Sequence, residues 1–215
     1  MKKILLIILL FIIPTTIHAY KQKQLLSGIT IVLDAGHGGM DKGASIYIDE
    51  APLNLVITKK LEKELLKLGC NVNLTRKDEN HLSSIKFDKK EDMKERIKRI
   101  NDEKNDFFIS IHMNQFQDKS VKGFHVFYNP SSQQSLELAT IIQNKTNQSL
   151  NQNKQIKKGD FYILNKSRIP GVLIECGFLS NDEDRKNLLD EKYQNKMIDC
   201  IVESLVDYFK NQNII

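Results

Sequence analysis

Three apolar runs in this chain end on residues that can bind a metal ion or move a proton. Ile31-Val32-Leu33 leads into Asp34-Ala35-Gly36-His37-Gly38-Gly39, Phe107 to Ile111 stops at His112-Met113-Asn114, and Val172-Leu173-Ile174 stops at Glu175-Cys176-Gly177. A histidine set among glycines at the end of a strand can swing into an open cleft. Open parallel sheets bind ligands just beyond the carboxyl ends of their strands, so the three ends are expected to share one site. Two imidazoles and a carboxylate, with a fourth position left for water, form an established catalytic zinc set. His37 and His112 supply the imidazoles, and the carboxylate is Glu50 or its neighbour Asp49, which residue chemistry alone does not separate. Glu175 follows too apolar a run to be an idle surface acid. It is free to act as general base, taking a proton from the attacking water.

The elements that must position these groups alternate between strand and helix. Strands are expected at Ser27–Asp34, Asn71–Thr75, Phe107–Ile111, Gly123–Tyr128, Phe161–Leu164 and Val172–Ile174. Helices are expected at Pro52–Leu68, where Leu53, Val56, Ile57, Leu61, Leu65 and Leu68 form one stripe, and at Glu91–Asn105, Ser131–Leu150 and the C-terminal stretch through Tyr208. The near-continuous apolarity of the first strand suits one covered on both faces. The class is therefore α/β: a single domain with a mostly parallel twisted sheet of about six strands flanked by helices on both faces. Its catalytic domain spans 28–212, preceded by a short linker at 20–27.

Residues 1–19 have the pattern of an export leader, with Lys2 and Lys3, an apolar run from Ile4 to Ile13, and Ala19 at the cleavage position. Such a run is short for a bilayer span. Ile17 is bulky for a cleavage site, so the segment reads as a signal peptide or as a retained N-terminal anchor that tethers the chain to the membrane. Either way the expected location is outside the cytoplasm. The three cysteines, Cys70, Cys176 and Cys200, are widely spaced and odd in number, which excludes a disulfide framework and a zinc ribbon and leaves buried free thiols. The net charge of +5 comes from basic residues interleaved with acidic ones, so no nucleic-acid partner is expected. His18 falls in the leader, His81 in a polar loop and His125 inside a strand.

The motifs taken together resemble the zinc-dependent N-acetylmuramoyl-L-alanine amidases of the amidase-3 type. The resemblance rests on Asp34 to Ala44, on Glu50 followed by Asn54-Leu55, and on Thr75-Arg76, Glu95-Arg96 and Asn101. It continues through Ser110 to Asn114, Phe161 to Leu164 and Glu175 to Asn181. It covers the chain from Gly28 onward and implies His37, Glu50 and His112 as zinc ligands and Glu175 as the catalytic carboxylate, the Asn54-Leu55 register choosing Glu50 over Asp49. Ile46-Tyr47-Ile48 and Ala51 depart from the family's usual Gly and Lys around the ligand Glu.

The implied substrate is peptidoglycan, cleaved between N-acetylmuramic acid and L-alanine. Within the family, the run from Arg96 to Tyr128 is most similar to the spore-cortex, germination-specific amidases, which act in forming muramic-δ-lactam. A small domain without its own wall-binding module would be served by an accessory protein that orders the zinc site. The same metal chemistry would also suit a carboxypeptidase or a sugar deacetylase, and a non-catalytic wall-binding protein could keep the scaffold.

Overall fold

Strand β1 (Thr30–Ala35) sits inside the sheet because its residues alternate between two buried faces: Ile31, Leu33 and Ala35 on one, Val32 and Asp34 on the other. The computed structural model describes residues 24–84 and 86–215, so the leader lies outside the described residues. After β1 come α1 (Glu50–Lys67), β2 (Asn71–Leu74), α2 (Lys89–Ile100), β3 (Phe107–Asn114), β4 (His125–Tyr128) and α3 (Gln133–Ser149). The chain ends with β5 (Lys157–Lys158), α4 (Tyr162–Lys166), β6 (Gly171–Phe178), α5 (Asp182–Leu189) and α6 (Glu191–Asn211).

The described strands form one six-stranded sheet in the order β2-β1-β3-β6-β4-β5. Its pairs are parallel except β4 with β6, so the expected mostly parallel α/β sheet is present. The two faces carry unequal cores. On the larger, Ile31, Leu33, Ile109, Ile111, Val172 and Ile174 meet the stripe Leu53, Ile57, Leu61 and Leu65 of α1, Leu138 and Ile142 of α3, and Met197, Ile201 and Leu205 of α6. On the smaller, Val32, Phe108 and Leu173 meet Ile100 of α2 and Ile163 and Leu164 of α4. By the same alternation, Asp34, Ser110, His112 and Glu175 all project on the smaller face, toward its strand ends.

Helix boundaries follow their caps. Asp88 accepts from Glu91 N at 2.7 Å, so α2 starts before Glu91 and stops at Ile100 with Asn101 as C-cap, earlier than its charge pattern suggests. Asn181 caps α5, and Asp190 accepts from Tyr193 N at 2.8 Å, dividing the C-terminal stretch into two helices.

One expected strand is a helix. Phe161–Leu164 reads as a buried strand, but Tyr162 opens α4, and Ile163 and Leu164 both sink into the smaller core. A run of four apolar residues has no period that separates strand from helix, and the edge place beside β4 is taken by Lys157–Lys158.

All three cysteines are buried and free. Burial pushes the Cys70 thiol up to about 12 and the Cys176 thiol well above its usual range. Iodoacetamide at pH 8 is therefore expected to label none of them in the native protein and all three after unfolding, as read by mass spectrometry of the alkylated chain.

Candidate metal centre and its catalytic carboxylate

The loop after β1 is held by two arginines that are each only 2% exposed. Arg76 donates from Nε to Ala35 O at 2.9 Å and from Nη2 to Gly36 O at 2.9 Å and to Ala51 O at 2.7 Å. Arg96 donates to Ala35 O at 2.7 Å and to His37 O. Three consecutive loop carbonyls are thus satisfied by buried cations. That grip keeps His37 in a left-handed conformation, φ 61°, which few residues other than glycine adopt. Arg96 is neutralised in turn by Asp34 at 2.7 Å and Asp92 at 2.8 Å, and Asp34 also accepts from Thr75 Oγ1 at 2.6 Å and Ser110 Oγ at 2.7 Å.

Glu50 arrives as the first residue of α1 and is almost fully buried. Its Oε1 accepts from Met113 N at 3.0 Å and Asn54 Nδ2 at 3.0 Å and lies 2.9 Å from His112 Nδ1. Its Oε2 accepts from Ala44 N at 2.8 Å and lies 3.3 Å from His37 Nε2. One carboxylate therefore faces an imidazole with each oxygen, and donor atoms of His37, Glu50 and His112 all fall within 4.8 Å of one another. Asn54, one helical turn after Glu50, also donates to Gly36 O at 3.1 Å, tying loop to helix.

Asp49 is the N-cap residue and points away, toward Lys42 at 3.0 Å and Ser45 Oγ at 2.5 Å. The structure thus brings Glu50, and not Asp49, to the histidines. Two glycines make the approach feasible: a Cβ on Gly36 would overlap the His112 ring, and one on Gly43, at φ 69°, would overlap the Glu50 carboxylate.

The electrostatics of this trio call for a cation. Burial disfavours a charged His37, yet the carboxylates of Asp41 and Glu50 outweigh it and raise its pKa to about 9. Glu50 is held well below the usual carboxylate range by His112 and His37, against the cost of burial. The Asp41 Oδ2 atom lies 2.9 Å from His37 Nδ1 but off the N–H direction, so this contact is electrostatic and not a formed hydrogen bond. The donor atoms of the two imidazoles and the one carboxylate lie close enough together to converge on a single ion, and that combination is a zinc donor set. On these grounds the residues present fit a zinc ion.

Glu175 lies beside His112 in register across the β3–β6 ladder and lines the same cleft, whose volume is about 240 Å³. It is 8% exposed, and its Oε2 is buried without a hydrogen-bond partner. Burial pushes its pKa up to about 7; His112 opposes the rise and the negative charge of Glu50 adds to it.

The other described histidines stand apart. His125 sits in β4, its Nδ1–H donating to Gly123 O at 3.1 Å, with its pKa lowered to about 4 mainly by burial. His81 pairs with Ser83 Oγ at 2.8 Å in the loop before α2. In the departing segment Ile46 and Tyr47 are exposed, while Ile48 packs against the larger core. Tyr47 stacks under the Arg185 guanidinium at 4.0 Å and accepts from Lys119 Nζ at 3.1 Å.

Sequence reasoning left the supporting network without roles. Asp34, Arg76, Asp92 and Arg96 do not touch the cleft centre as donors of a metal set, yet they fix the loop that does. A signal was available: Asp34 ends an apolar run just as Glu175 does, and a buried carboxylate there requires a cation partner.

Comparison with known proteins gives the chain's family. Residues 31–207 match a family model, Amidase_3, described as N-acetylmuramoyl-L-alanine amidase. YqiI of Bacillus subtilis (strain 168), itself uncharacterised, is 31% identical over 188 residues, 86% of each chain. The probable cell wall amidase LytH of Staphylococcus aureus is 31% identical over 195 residues, 88% of this chain and 61% of LytH, so the chain spans about three-fifths of that protein.

Among solved structures, the CwlD amidase from Clostridioides difficile, determined in complex with the GerS lipoprotein, superposes with a TM-score of 0.79 at 36% identity, over 85% of this chain and 98% of that one. An N-acetylmuramoyl-L-alanine amidase from Clostridium difficile 630 gives a TM-score of 0.77 at 30% identity, over 85% and 97% of the two chains. A matched family model over most of the chain, and relatives alike along nearly its whole described length, lead to one statement: the chain belongs to the amidase-3 family of N-acetylmuramoyl-L-alanine amidases.

Proposed function

We propose that this chain is a zinc-dependent peptidoglycan amidase that hydrolyses the bond between the lactyl group of N-acetylmuramic acid and L-alanine, with His37, Glu50 and His112 holding the ion and Glu175 as general base. The observation that carries the reading is the unpartnered, buried Oε2 of Glu175 in the cleft that also holds the His37–Glu50–His112 trio. A zinc ion held there supplies Lewis-acid polarisation of the scissile carbonyl and lowers the pKa of a nearby water.

The chain's own groups do the rest. Arg76, Arg96 and Asn54 hold the His37 loop and Glu50 in place before substrate arrives. Glu175 Oε2 takes one proton from water as its oxygen adds to the carbonyl carbon. Glu175 Oε2 returns that proton to the nitrogen of L-alanine as the C–N bond breaks, leaving the lactyl carboxylic acid and a free stem peptide, and the acid then gives its remaining proton to the released amine. Burial pushes the Glu175 pKa up toward neutrality, which suits a group that must both take and give a proton.

We place the activity outside the cytoplasm, after export by the leader at residues 1–19, and in the spore cortex, where bare muramic acid is the precursor of muramic-δ-lactam. The similarity to CwlD supports the cortex assignment, and the lipoprotein in that relative's structure supports an accessory partner for this chain as well. Membrane tethering through an uncleaved leader belongs to the same proposal; among the described residues no helix is long and apolar enough to cross a membrane.

The test is mass spectrometry of cortex or wall muropeptides after incubation with purified protein and zinc. Free stem peptides with an L-alanine amine are expected, vanishing with EDTA and returning when zinc is restored. Released D-alanine would instead indicate a carboxypeptidase, and released acetate a deacetylase. Stoichiometric zinc with no turnover of any fragment, even beside a lipoprotein partner, would leave a wall-binding protein.

A further inference from the structure

The two nitrogens of His37 face different neighbours. Nε2 lies 3.3 Å from Glu50 Oε2, on the side where the donors of the trio converge, while Nδ1 is buried without a formed hydrogen bond. Asp41 stands at that second nitrogen. Its Oδ2 lies 2.9 Å from Nδ1, so the separation is already that of a hydrogen bond and only the N–H direction is off. The sequence brings the carboxylate there through a reverse turn. Gly38 N donates to Asp41 O at 2.9 Å and Asp41 N donates to Gly38 O at 3.1 Å, with Gly39 at φ 58° in the first central place, where such a two-residue turn needs a positive φ. Further contacts steady the side chain: Oδ1 accepts from Gly43 N at 3.3 Å, and Lys89 Nζ lies 3.5 Å from Oδ2. Asp41 is not itself among the converging donors.

From this placement, and resting on the zinc amidase reading, we infer that Asp41 is a positioning residue that takes the Nδ1–H of His37 and so commits Nε2 to the ion. A neutral imidazole carries its proton on either nitrogen, and only the bare one can bind a metal. A carboxylate at Nδ1 settles the choice, because it accepts a hydrogen and offers none. It also fixes the plane of the ring and makes the far nitrogen a stronger donor to the metal. The contact closes by a turn of the ring about its bond to Cβ and needs no movement of the chain. His112 is oriented by other means. Its ring lies against Gly36, where a Cβ would overlap it, and meets the His37 ring edge-on at 4.9 Å. The run His37-Gly38-Gly39-Met40-Asp41 is thus a ligand, a turn, and the group that aims the ligand.

Zinc affinity, read by competition with a chromophoric chelator, tests this without turnover. Asp41→Ala is expected to weaken zinc binding about ten- to a hundredfold, the range for loss of the partner behind a ligating histidine. Asp41→Asn keeps an oxygen that can accept the Nδ1–H and is expected to stay within about fivefold of the unaltered chain, since it gives up only a partly solvated charge. Were Asp41 acting on the ion only as a nearby charge, asparagine would lose as much as alanine. The second readout is the His37 ring itself. Long-range proton–nitrogen NMR of the zinc-loaded chain is expected to show the proton on Nδ1 and the metal on Nε2, with the Nδ1–H signal lost to solvent exchange in Asp41→Ala. A role confined to shaping the turn would leave that signal in place.

The inference is overturned if Asp41→Ala binds zinc as tightly as the unaltered chain, if Asp41→Asn loses as much as Asp41→Ala, if His37 binds through Nδ1, or if the unaltered chain takes up no zinc. An unchanged melting curve for the metal-free variants separates a misaimed ligand from misfolding. Should Asp41→Ala fail to fold, the ring signal of the unaltered chain and the affinity of Asp41→Asn still decide. Failure of the amidase reading alone would look different: zinc bound through His37 Nε2, and no stem peptides released from muropeptides by the unaltered chain.

Discussion

Glu175→Gln lowers amide hydrolysis by about a hundred- to ten-thousand-fold while zinc content and thermal stability stay near those of the unaltered chain. Glutamine keeps the shape of the side chain but cannot accept a proton, and loss of a general base costs about that much. Stability should not fall, because the carboxylate it replaces is itself costly: 8% exposed, with one oxygen lacking any partner. The measurement is release of stem peptides alongside zinc quantitation and a melting curve. Equal loss of zinc and activity would make Glu175 part of the metal site and sink the general-base role.

A pH profile adds an independent check. Glu175 must be ionised to take the proton, so activity rises with pH through its pKa. That pKa is about 7 without a cation nearby, and the charge of a dication lowers it, so the rising limb of the zinc-loaded chain falls below pH 7.

Arg96→Met is expected to destabilise the fold by about 3–5 kcal/mol. Among the described residues Arg96 is the only cation in contact with both Asp34 and Asp92, all three are almost fully buried, and removing it leaves two carboxylates with an uncompensated charge. It would also free the carbonyl of His37 and leave that of Ala35 to Arg76 alone, so zinc affinity should drop with stability. Urea unfolding with and without zinc reads both.

The same cluster gives an acid limit. Burial works to raise the Asp34 pKa, but Arg96, Thr75 and Ser110 together lower it to about 2 from 3.8. A depressed carboxylate contributes stability that is present above its unfolded pKa and is lost as pH falls through the folded one. For Asp34 that is about 2 kcal/mol, given up between about pH 4 and pH 2. In Arg96→Met this loss should shrink or reverse, because the cation that lowers the pKa is gone.

The elements of this fold were legible where hydrophobic period and length agree. β1, α1, β3 and β6 emerge from the sequence because long apolar runs or stripes leave one solution. Phe161–Leu164 did not, since four apolar residues carry no period. For the candidate site, the sequence offered His37, His112 and Glu175 because each interrupts or ends a run it does not belong to. Glu50 and Asp49 look alike in residue chemistry; the family resemblance favours Glu50 through the Asn54-Leu55 register, and the helix start turns Glu50 inward and Asp49 toward Lys42. The roles of Arg76 and Arg96 were hidden for a different reason. Their partners are backbone carbonyls of a loop about forty to sixty residues away, and a carbonyl has no signature in sequence.

His112 and Glu175 are direct neighbours in the ladder between β3 and β6, the two central strands of the sheet. Their separation is therefore set by the strand spacing of about 4.8 Å and by shared register, and no surface loop contributes to it. The segments after these strands can then diverge, lengthen or be exchanged between relatives without retuning the distance between the His112 imidazole and the Glu175 carboxylate. Such a layout permits a new wall specificity to be grafted onto the rim at residues 115–123 or at α4 while the hydrolytic step is inherited unaltered.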